Sequence, residues 1–430
     1  MDGKLIFTKL NKRSCAFLIQ NGKMLAASLQ GEEEDDEKVT GGIYIARIKD
    51  VVKELNACFA ETEKDKICFL SGTETFHPFY LSDDIMKQKN RKPKPGDLIL
   101  VQGLREAQKT KQPAVTTKIS VANRFFVISL GFGKTGFSSK LTQLRKQQLR
   151  EELLGDERFF DQKGNMKHWS QMDLEPFEYA KAFPQTGLIF RTECWDVPTE
   201  VLRMSLQGLI HEFYGMLKAA CYRTAFTCLK TPPRPWQAAI NHFALPGEYD
   251  EILTDDSTLY KEIAESGLVP SGKSIRLYTD KELSLNKLYG LTSKLNNALS
   301  RRVWLKSGAY LIIEPTEALT VIDVNSGKYE AHKGEKDFYR NINLEAAQEI
   351  AYQIRLRNLS GMILVDFINM SDSEDQGILI KEMERLTQQD RVKTCVIDFT
   401  KLGLMEITRQ KTVPPLMEQA IRFEYPLPKK

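Results

Sequence analysis

Residues 319–327 read LTVIDVNSG, and residues 361–367 read GMILVDF. Each stretch is an apolar run of strand length that a carboxylate interrupts, Asp323 in the first and Asp366 in the second. Apolar residues recur with helical spacing over 343–357, between the two runs, with Asn343 as the candidate N-terminal cap. The order strand, helix, strand is typical of a parallel sheet, so these stretches predict an α/β domain in the C-terminal part of the chain.

The two aspartates predict a metal site. A carboxylate late in a buried strand is costly unless it is paired, hydrogen-bonded or bound to a metal. If the two strands are parallel neighbours, both side chains emerge at the carboxyl edge of the sheet, where open α/β folds bind ligands. Two carboxylates there suit Mg²⁺, and Asn325 falls on the same strand face as Asp323. Salt-bridged strand ends are the alternative interpretation, and Asp398, late in a strand over 394–399, is a third candidate.

Composition bounds the class of protein. The chain has 430 residues, 42% hydrophobic and 27% charged, and 61 basic against 57 acidic residues give a net charge of +4. These values exclude a collagen, a coiled coil and a largely disordered chain. The seven cysteines form no Cys-x-x-Cys pair, and no run approaches the length of about 18 apolar residues that a membrane span needs. We therefore expect a cytoplasmic protein without a disulfide framework and without a membrane span.

Short strands dominate the first 120 residues. Residues 5–7 and 15–19 predict strands, with Asn21 and Gly22 as a hairpin turn, and the acidic run over 32–37 predicts a solvated loop. About five short strands between 41 and 120 predict a small barrel, the OB fold among the candidates. The basic run over 87–94 is either an ordinary surface loop or a surface that follows phosphates.

The segment after the barrel mixes strands and helices. Its pattern predicts strands over 125–128 and 187–192, helices over 141–154 and 200–220, and a linker over 231–236.

A glycine motif in this segment suggests a nucleotide site. Residues 131–136 read GFGKTG, between a predicted strand and a predicted helix. A dinucleotide fold also needs an acid that ends a second strand about 20 residues later, and none stands there. The Walker pattern fails because residue 128 is Ile128 rather than glycine. A flexible basic loop is the better interpretation.

Several long strings in order are similar to the ribonuclease E/G family. They are LTVIDVNSG at 319–327 and GMILVDF at 361–367, together with GLIFRT at 187–192, EALT at 317–320, NLEAA at 343–347, EIA at 349–351, QIRLR at 353–357 and LGLMEITRQ at 402–410. The resemblance covers nearly the whole chain and is densest from about residue 310 to 410. It is far more specific than a single glycine motif.

The resemblance implies a set of site residues. The family cuts single-stranded RNA with Mg²⁺ held by two aspartates, whose positions here are Asp323 and Asp366, with Asn325 as the supporting asparagine. The aromatic residues that contact RNA correspond to Phe59 and Phe69, and a lysine contact corresponds to Lys111.

A pocket for a 5′-monophosphate corresponds to Arg191 and Thr192, with Val127 nearby. Aromatic side chains stack on unpaired bases and arginine binds a terminal phosphate bidentately, so the residue types agree with these roles. The alternatives are that both phenylalanines belong to the barrel core and that Arg191 forms a surface ion pair.

The resemblance also implies a multidomain α+β and α/β fold. A ribonuclease-H-like domain is expected from 1–38 and 237–298, an inserted OB-fold RNA-binding barrel from 39–119, a 5′-end-sensing subdomain from 120–236 and an α/β catalytic domain from 299–430.

The chain departs from the family in three places. Asn369 stands where an aspartate is common, and Asn123 stands where a glycine is usual. No cysteine follows Cys395, so the zinc link of the family, the dimer that shares it and the small domain beyond it are not implied.

The sequence therefore predicts a Mg²⁺-dependent endoribonuclease that acts on single-stranded RNA in RNA processing or decay. One alternative is a non-catalytic RNA-binding protein on the same scaffold, which would have no need of paired carboxylates at strand ends. The other is a nucleotide-dependent enzyme that uses the loop over 131–136.

Overall fold

The computed structural model describes most of the chain, namely residues 3–29, 38–75, 77–81, 85–87, 91–107, 112–242, 248–269, 272–327, 338–369, 373–388, 390–411 and 413–427. The chain divides into two compact units, one formed by residues 1–33 and 235–430 and the other by residues 34–234. None of the described helices combines the length and the apolar composition that crossing a membrane requires. The predicted acidic loop over 32–37 lies outside the described residues.

The first unit opens with a three-stranded meander of β1 (Gly3–Leu10), β2 (Arg13–Gln20) and β3 (Lys23–Leu29). The strands pair antiparallel in sequence order. Asn21 and Gly22 link the last two with positive φ angles of 49° and 76°, the combination that a two-residue hairpin with the sheet's natural twist requires. The predicted hairpin is confirmed.

The second unit begins with a closed barrel. Its strands are β4 (Ile43–Val52), β5 (Ala57–Glu63), β6 (Lys66–Ser71), β7 (Leu98–Arg105) and β8 (Ala114–Thr116). They follow the order β4-β5-β6-β8-β7, and β7 pairs back onto β4, which closes the sheet. The interior is apolar and includes Ile48, Leu70, Ile99, Val101 and Val115. The predicted small five-stranded barrel is confirmed.

The rest of the second unit surrounds a large apolar core. Its elements are β9 (Ser120–Ala122), β10 (Phe126–Leu130), β11 (Thr135–Phe137), α1 (Gln143–Leu153), β12 (Thr186–Phe190), α2 (Thr199–Ala220) and β13 (Cys228–Lys230), with 3-10 helices at Ile85–Lys87, Trp169–Gln171, Glu178–Ala182 and Thr192–Cys194. Four strands form a sheet in the order β11-β12-β10-β9, and β13 adds to the barrel beside β4. Helix α2 buries Leu202, Leu206, Leu209 and Phe213, the predicted apolar face.

The glycine motif at 131–136 does not open a helix. It joins β10 to β11, so the predicted strand-to-helix passage at this point is wrong. Gly131 and Gly133 have φ angles of 87° and 54°, which glycine adopts readily in a tight connection. Because a strand and not a helix N-terminus follows it directly, this loop lacks the anion site on which dinucleotide and Walker motifs depend.

The chain then returns to the first unit. Its next elements are α3 (Pro235–His242), β14 (Glu251–Thr254), α4 (Ser257–Glu265), β15 (Ser274–Leu277), α5 (Leu285–Tyr289) and α6 (Leu291–Leu299). Strand β14 pairs parallel with β1, and β15 pairs parallel with β14. The N-terminal meander thereby becomes a five-stranded sheet in the order β15-β14-β1-β2-β3.

The last sheet carries Asp323 and Asp366. Its elements are β16 (Arg302–Trp304), β17 (Tyr310–Pro315), β18 (Leu319–Asn325), α7 (Phe338–Leu356), β19 (Gly361–Asp366), α8 (Ser373–Thr387), β20 (Thr394–Phe399), β21 (Leu404–Arg409) and α9 (Leu416–Arg422). The order is β16-β17-β18-β19-β21-β20, and β18 and β19 are its parallel neighbours. The predicted β-α-β arrangement is confirmed.

Within the described part of the chain, one face of this sheet is covered and the other is open. Alternate residues such as Ile322, Val324, Ile363 and Val365 are buried in a core that also holds residues of α7 and α8. The residues between them on the same strands are half-buried or exposed, and Met362 is 53% exposed. A near-continuous apolar run such as that of β19 is typical of a buried parallel strand, but only alternate residues of β19 are buried, whereas Met362 and Asp366 are exposed.

A buried arginine ties the end of this sheet to the turn before β19. The Arg409 Nε donates to Asp390 Oδ2 at 2.7 Å, and its Nη1 donates to Asn358 Oδ1 at 2.6 Å and to the Leu359 carbonyl oxygen at 3.1 Å. The Arg409 and Asp390 side chains are only 3% and 9% exposed.

We expect Arg409→Met to destabilise the protein by about 3–5 kcal/mol, because it withdraws the cation from a buried carboxylate and leaves buried acceptors unpaired. Urea unfolding measures the change. Arg385→Met is the matched control, since the Arg385–Glu382 pair lies at the surface and its loss should leave the midpoint unchanged. Equal midpoints for both variants would contradict the assigned role of Arg409.

Candidate metal site and RNA-binding surfaces

The parallel pairing of β18 and β19 places Asp323 directly opposite Asp366. The two residues are register partners in the ladder, and Asp366 is the last residue of its strand. Their side chains rise from the open face of the sheet, since the alternate residues on each strand are the buried ones. The structure therefore brings together the two carboxylates that the sequence singled out.

Asn325 completes this cluster from the same strand as Asp323. The two residues are separated by one position and share a face, and the Asn325 Nδ2 donates to Asp323 Oδ2 at 2.7 Å. The contact fixes the orientation of the Asp323 carboxylate. It uses an amide donor and not the amide oxygen.

The donor set of the cluster fits a hard divalent cation. Within the described residues neither aspartate forms a salt bridge, so two like charges stand side by side without a cationic side chain between them. The described part of the chain contains no group of three or more His, Cys, Asp or Glu side chains placed to hold a metal. Two carboxylates and an amide suit Mg²⁺, which keeps several water or phosphate ligands.

Asn343 supports the site in a way that the sequence did not reveal. The predicted cap is wrong, because α7 begins at Phe338 and Asn343 lies inside it, fully buried. Its Nδ2 donates to the Ile368 carbonyl oxygen at 2.8 Å, and its Oδ1 accepts from the Ile368 N–H at 3.1 Å. The Asn343 side chain on α7 thus binds both the N–H and the carbonyl group of Ile368, two residues after Asp366.

The third candidate carboxylate is not part of the cluster. Asp398 belongs to the edge strand β20, which β21 separates from β19, so it stands about 10 Å from the Asp366 strand. Its Oδ1 accepts from the Phe399 N–H at 2.7 Å. Asn369 is exposed in the segment that follows β19.

Phe59 and Phe69 meet on the outer face of the barrel. They are register partners on β5 and β6, with ring centroids 6.0 Å apart in an edge-to-face arrangement. Their strand neighbours Ala60, Cys68 and Leu70 are buried in the barrel interior, whereas both rings are partly exposed. The alternative that these phenylalanines are core residues does not fit this alternation.

Only some of the basic residues that the sequence placed near the barrel belong to the described part of the chain. Lys111 lies outside the described residues, as does part of the basic run over 87–94. Within that run, Arg91 donates to both carboxylate oxygens of Asp97 and lies over the Tyr80 ring at 4.1 Å. Arg91 is therefore held by contacts within its own barrel, and the role of the basic run in following phosphates stays a prediction.

The residues expected at the 5′-phosphate lie around the end of β12. Val127 pairs with Ile189, and Arg191 and Thr192 follow the strand directly. The Arg191 Nη1 donates to the Asn123 carbonyl oxygen at 2.7 Å, and burial lowers the pKa of its guanidinium. The Thr192 hydroxyl is 2.8 Å from the Ser138 hydroxyl.

The Asn123 side chain stabilises the turn that precedes β10. Its Oδ1 accepts from the backbone N–H groups of Phe125 and Phe126, both at 2.9 Å, and its Nδ2 donates to the Ser205 hydroxyl at 2.9 Å. The side chain closes the turn before β10 and attaches it to α2. Asn123 thus fixes the backbone whose carbonyl oxygen accepts a hydrogen bond from Arg191.

Comparison with known proteins assigns the family. The model of the ribonuclease E/G family matches residues 120–412, which include the two aspartates and Asn325. The chain belongs to the ribonuclease E/G family.

Curated relatives within the ribonuclease E/G family match most of the chain. Ribonuclease G of Escherichia coli K12 is 28% identical over 390 residues, which cover 89% of this chain and 74% of that protein. Ribonuclease G of Haemophilus influenzae is 27% identical over 405 residues, covering 92% and 77%. Ribonuclease E of a Synechocystis species is 28% identical over 387 residues, covering 88% of this chain and 53% of that protein.

We expect Asn343→Ala to speed hydrogen exchange at the Ile368 amide and to lower the free energy of unfolding by about 1–3 kcal/mol, because both polar groups of that residue lose their partner. Hydrogen–deuterium exchange with mass spectrometry measures the first effect. Asn369→Ala, an exposed change in the same segment, should leave the exchange unaltered. Unchanged exchange in the Asn343 variant would contradict the support that we assign to it.

Proposed function

We propose that this ribonuclease E/G family member is a Mg²⁺-dependent endoribonuclease that cleaves single-stranded RNA in RNA processing or decay. Membership of the family makes the chain an endoribonuclease, a phosphodiester hydrolase. The substrate and the metal rest on the observation that Asp323 and Asp366 are register partners on an open sheet face. An open face gives an extended RNA strand access that a closed pocket would deny.

The paired carboxylates are proposed to hold the metal. Bound Mg²⁺ would lower the pKa of a coordinated water and withdraw charge from the scissile phosphate. Asp323 and Asp366 supply the negative charge that holds the cation, and Asn325 keeps the Asp323 carboxylate in one orientation through its 2.7 Å hydrogen bond. Asn343 holds the backbone after Asp366, so that the second carboxylate stays in register.

The barrel is proposed to bind the RNA. Two partly exposed rings at adjacent positions of neighbouring strands form a surface on which unpaired bases can stack. Lys111 is proposed to contribute a charge to the same surface. In a duplex, neighbouring base pairs stack on each other and cover the flat faces of the bases, so such a surface favours single strands.

The end of β12 is proposed to bind a 5′-monophosphate. Arg191 supplies a guanidinium whose Nη1 is already oriented by the Asn123 carbonyl, Thr192 supplies a hydroxyl, and Val127 lies on the neighbouring strand. A partly buried arginine with a fixed plane suits bidentate contact with phosphate oxygens.

The domain layout follows the same proposal. We assign a ribonuclease-H-like domain to 1–38 and 237–298, an OB-fold RNA-binding domain to 39–119, a 5′-sensing subdomain to 120–236 and the catalytic domain to 299–430. The closed five-stranded barrel and the sheet that unites β1 with β14 and β15 support these divisions.

We expect Asp323→Asn and Asp366→Asn each to reduce cleavage of a 5′-monophosphorylated single-stranded RNA to background, because each removes one negative charge from the cation site. Gel assays with Mg²⁺, and with chelator followed by added Mg²⁺, measure the effect. RNA affinity in chelator should equal that of the unaltered chain, since the proposed binding surface is on the barrel.

Asp398→Asn is the matched control, because it removes the same charge two strands from Asp366. Its cleavage rate should be that of the unaltered chain. Cleavage that survives in both site variants, or in chelator, would refute the two-aspartate site. Tight RNA binding without any cleavage by the unaltered chain would favour the non-catalytic alternative.

We expect Phe59→Ala and Phe69→Ala each to weaken RNA binding by about ten-fold, in line with the loss of one stacking contact. The melting temperature should change little, because both rings lie outside the barrel core. Fluorescence anisotropy and calorimetry measure the two quantities. Leu70→Ala is the converse control: it should cost about 2–5 kcal/mol of stability and leave RNA affinity unchanged in the folded protein.

A further inference from the structure

A second aromatic cluster lies on the same open sheet face as the two aspartates. Trp304 is 62% exposed, and its ring centroid is 5.1 Å from that of Tyr310. The Arg302 guanidinium lies over both rings, 5.6 Å from the first and 4.7 Å from the second. Single exposed apolar residues are common, but here an exposed indole, a phenol tilted at 58° to it and a guanidinium form one cluster.

Strand register places this cluster beside the site. Trp304 pairs with Tyr310, and Tyr310 pairs with Asn325, so the three side chains form one row across β16, β17 and β18. Two strand spacings separate the indole from Asn325, a distance of about 10 Å. Arg302 and Asp323 face each other across Ile312 in the next row.

The row lines a groove that continues to the end of β18. Its lining consists of Arg302, Trp304, Gly308, Tyr310, Asn325, Ser326 and Gly327. The backbones of Gly327 and Gly308 lie close together, since a Cβ atom at Gly327 would be 2.5 Å from the Gly308 carbonyl oxygen, and Gly327 has a φ of 68°. The backbone therefore fixes the shape of the groove at this point.

We propose that Arg302, Trp304 and Tyr310 form a platform on which a nucleobase next to the scissile phosphate stacks. The proposal rests on the proposed function, because it supplies a contact for the RNA strand at the metal site. The exposed indole ring of Trp304 can stack on any base, and the arginine adds a positive charge that attracts the flanking phosphate. The platform orients the strand at the site, and it does so without reading sequence.

Cleavage of RNA oligonucleotides with one abasic nucleotide, moved stepwise past the cleavage site, tests this platform. With the unaltered chain, one position near that site should lower kcat/KM by roughly ten-fold. With Trp304→Ala, kcat/KM on intact RNA should fall by a similar factor, and the abasic nucleotide should cause no further loss. Trp304→Phe should restore the profile, because it keeps a stacking ring.

Met362→Ala is the matched control. Met362 is an exposed apolar residue on the same face at the opposite end of β19 from Asp366, and its loss should leave the abasic profile unaltered. If Trp304→Ala keeps the intact-RNA rate and the abasic profile of the unaltered chain, the platform is refuted, and a protein contact would be the better explanation of the cluster.

A binding measurement separates failure of the platform from failure of the proposed function. In the Asp366→Asn chain, single-stranded RNA should quench tryptophan fluorescence, and Trp304→Phe in that background should remove most of the quenching. This result would support the platform even if the unaltered chain cut no RNA. Equal quenching in both proteins would overturn the platform even if cleavage were confirmed.

Discussion

The parallel pairing of β18 with β19 is the constraint on which the C-terminal sheet depends. It sets Asp323 opposite Asp366, and two like charges at that separation repel each other. The opposite face of the same strands supplies the compensation, because the alternate apolar residues of both strands are buried beneath α7 and α8. A slip of one residue would turn that apolar set to the open face and the carboxylates into the core. The hydrophobic core thus fixes the register, and the register places the charges.

In the barrel of the second unit, buried strand neighbours likewise fix the positions of partly exposed side chains. Phe59 faces Phe69 across β5 and β6, while Ala60 and Leu70 on the same strands point into the interior. In both sheets the residues proposed to contact RNA or metal occupy the positions that alternate with buried ones. The energy that holds such a residue in place therefore comes from its strand neighbours, and the residue itself is left available for a ligand.

This alternation explains how much the sequence could predict. The hairpin at Asn21, the five-stranded barrel, helix α2 and the β-α-β passage from Asp323 to Asp366 all follow from local periodicity, and the structure has each of them. The burial of only one face of β19 could not be predicted, because an apolar residue such as Met362 indicates a core position whether or not a helix covers it. The glycine motif at 131–136 misled for a related reason, since the same short string can precede a strand or a helix.

What could not be predicted depends on contacts between residues that are distant in the chain. Asn343 resembles a helix cap when only its neighbours are considered, yet its amide bonds the backbone of Ile368, 25 residues later. Trp304 and Asn325 become members of one row only after the turn at Gly308 and the pairing of β17 fix two successive registers. Aspartates in apolar strands attract attention because burying a charge is costly. An asparagine in a helix or a tryptophan in a strand carries no such signal, so supporting and flanking residues emerge only when the fold is known.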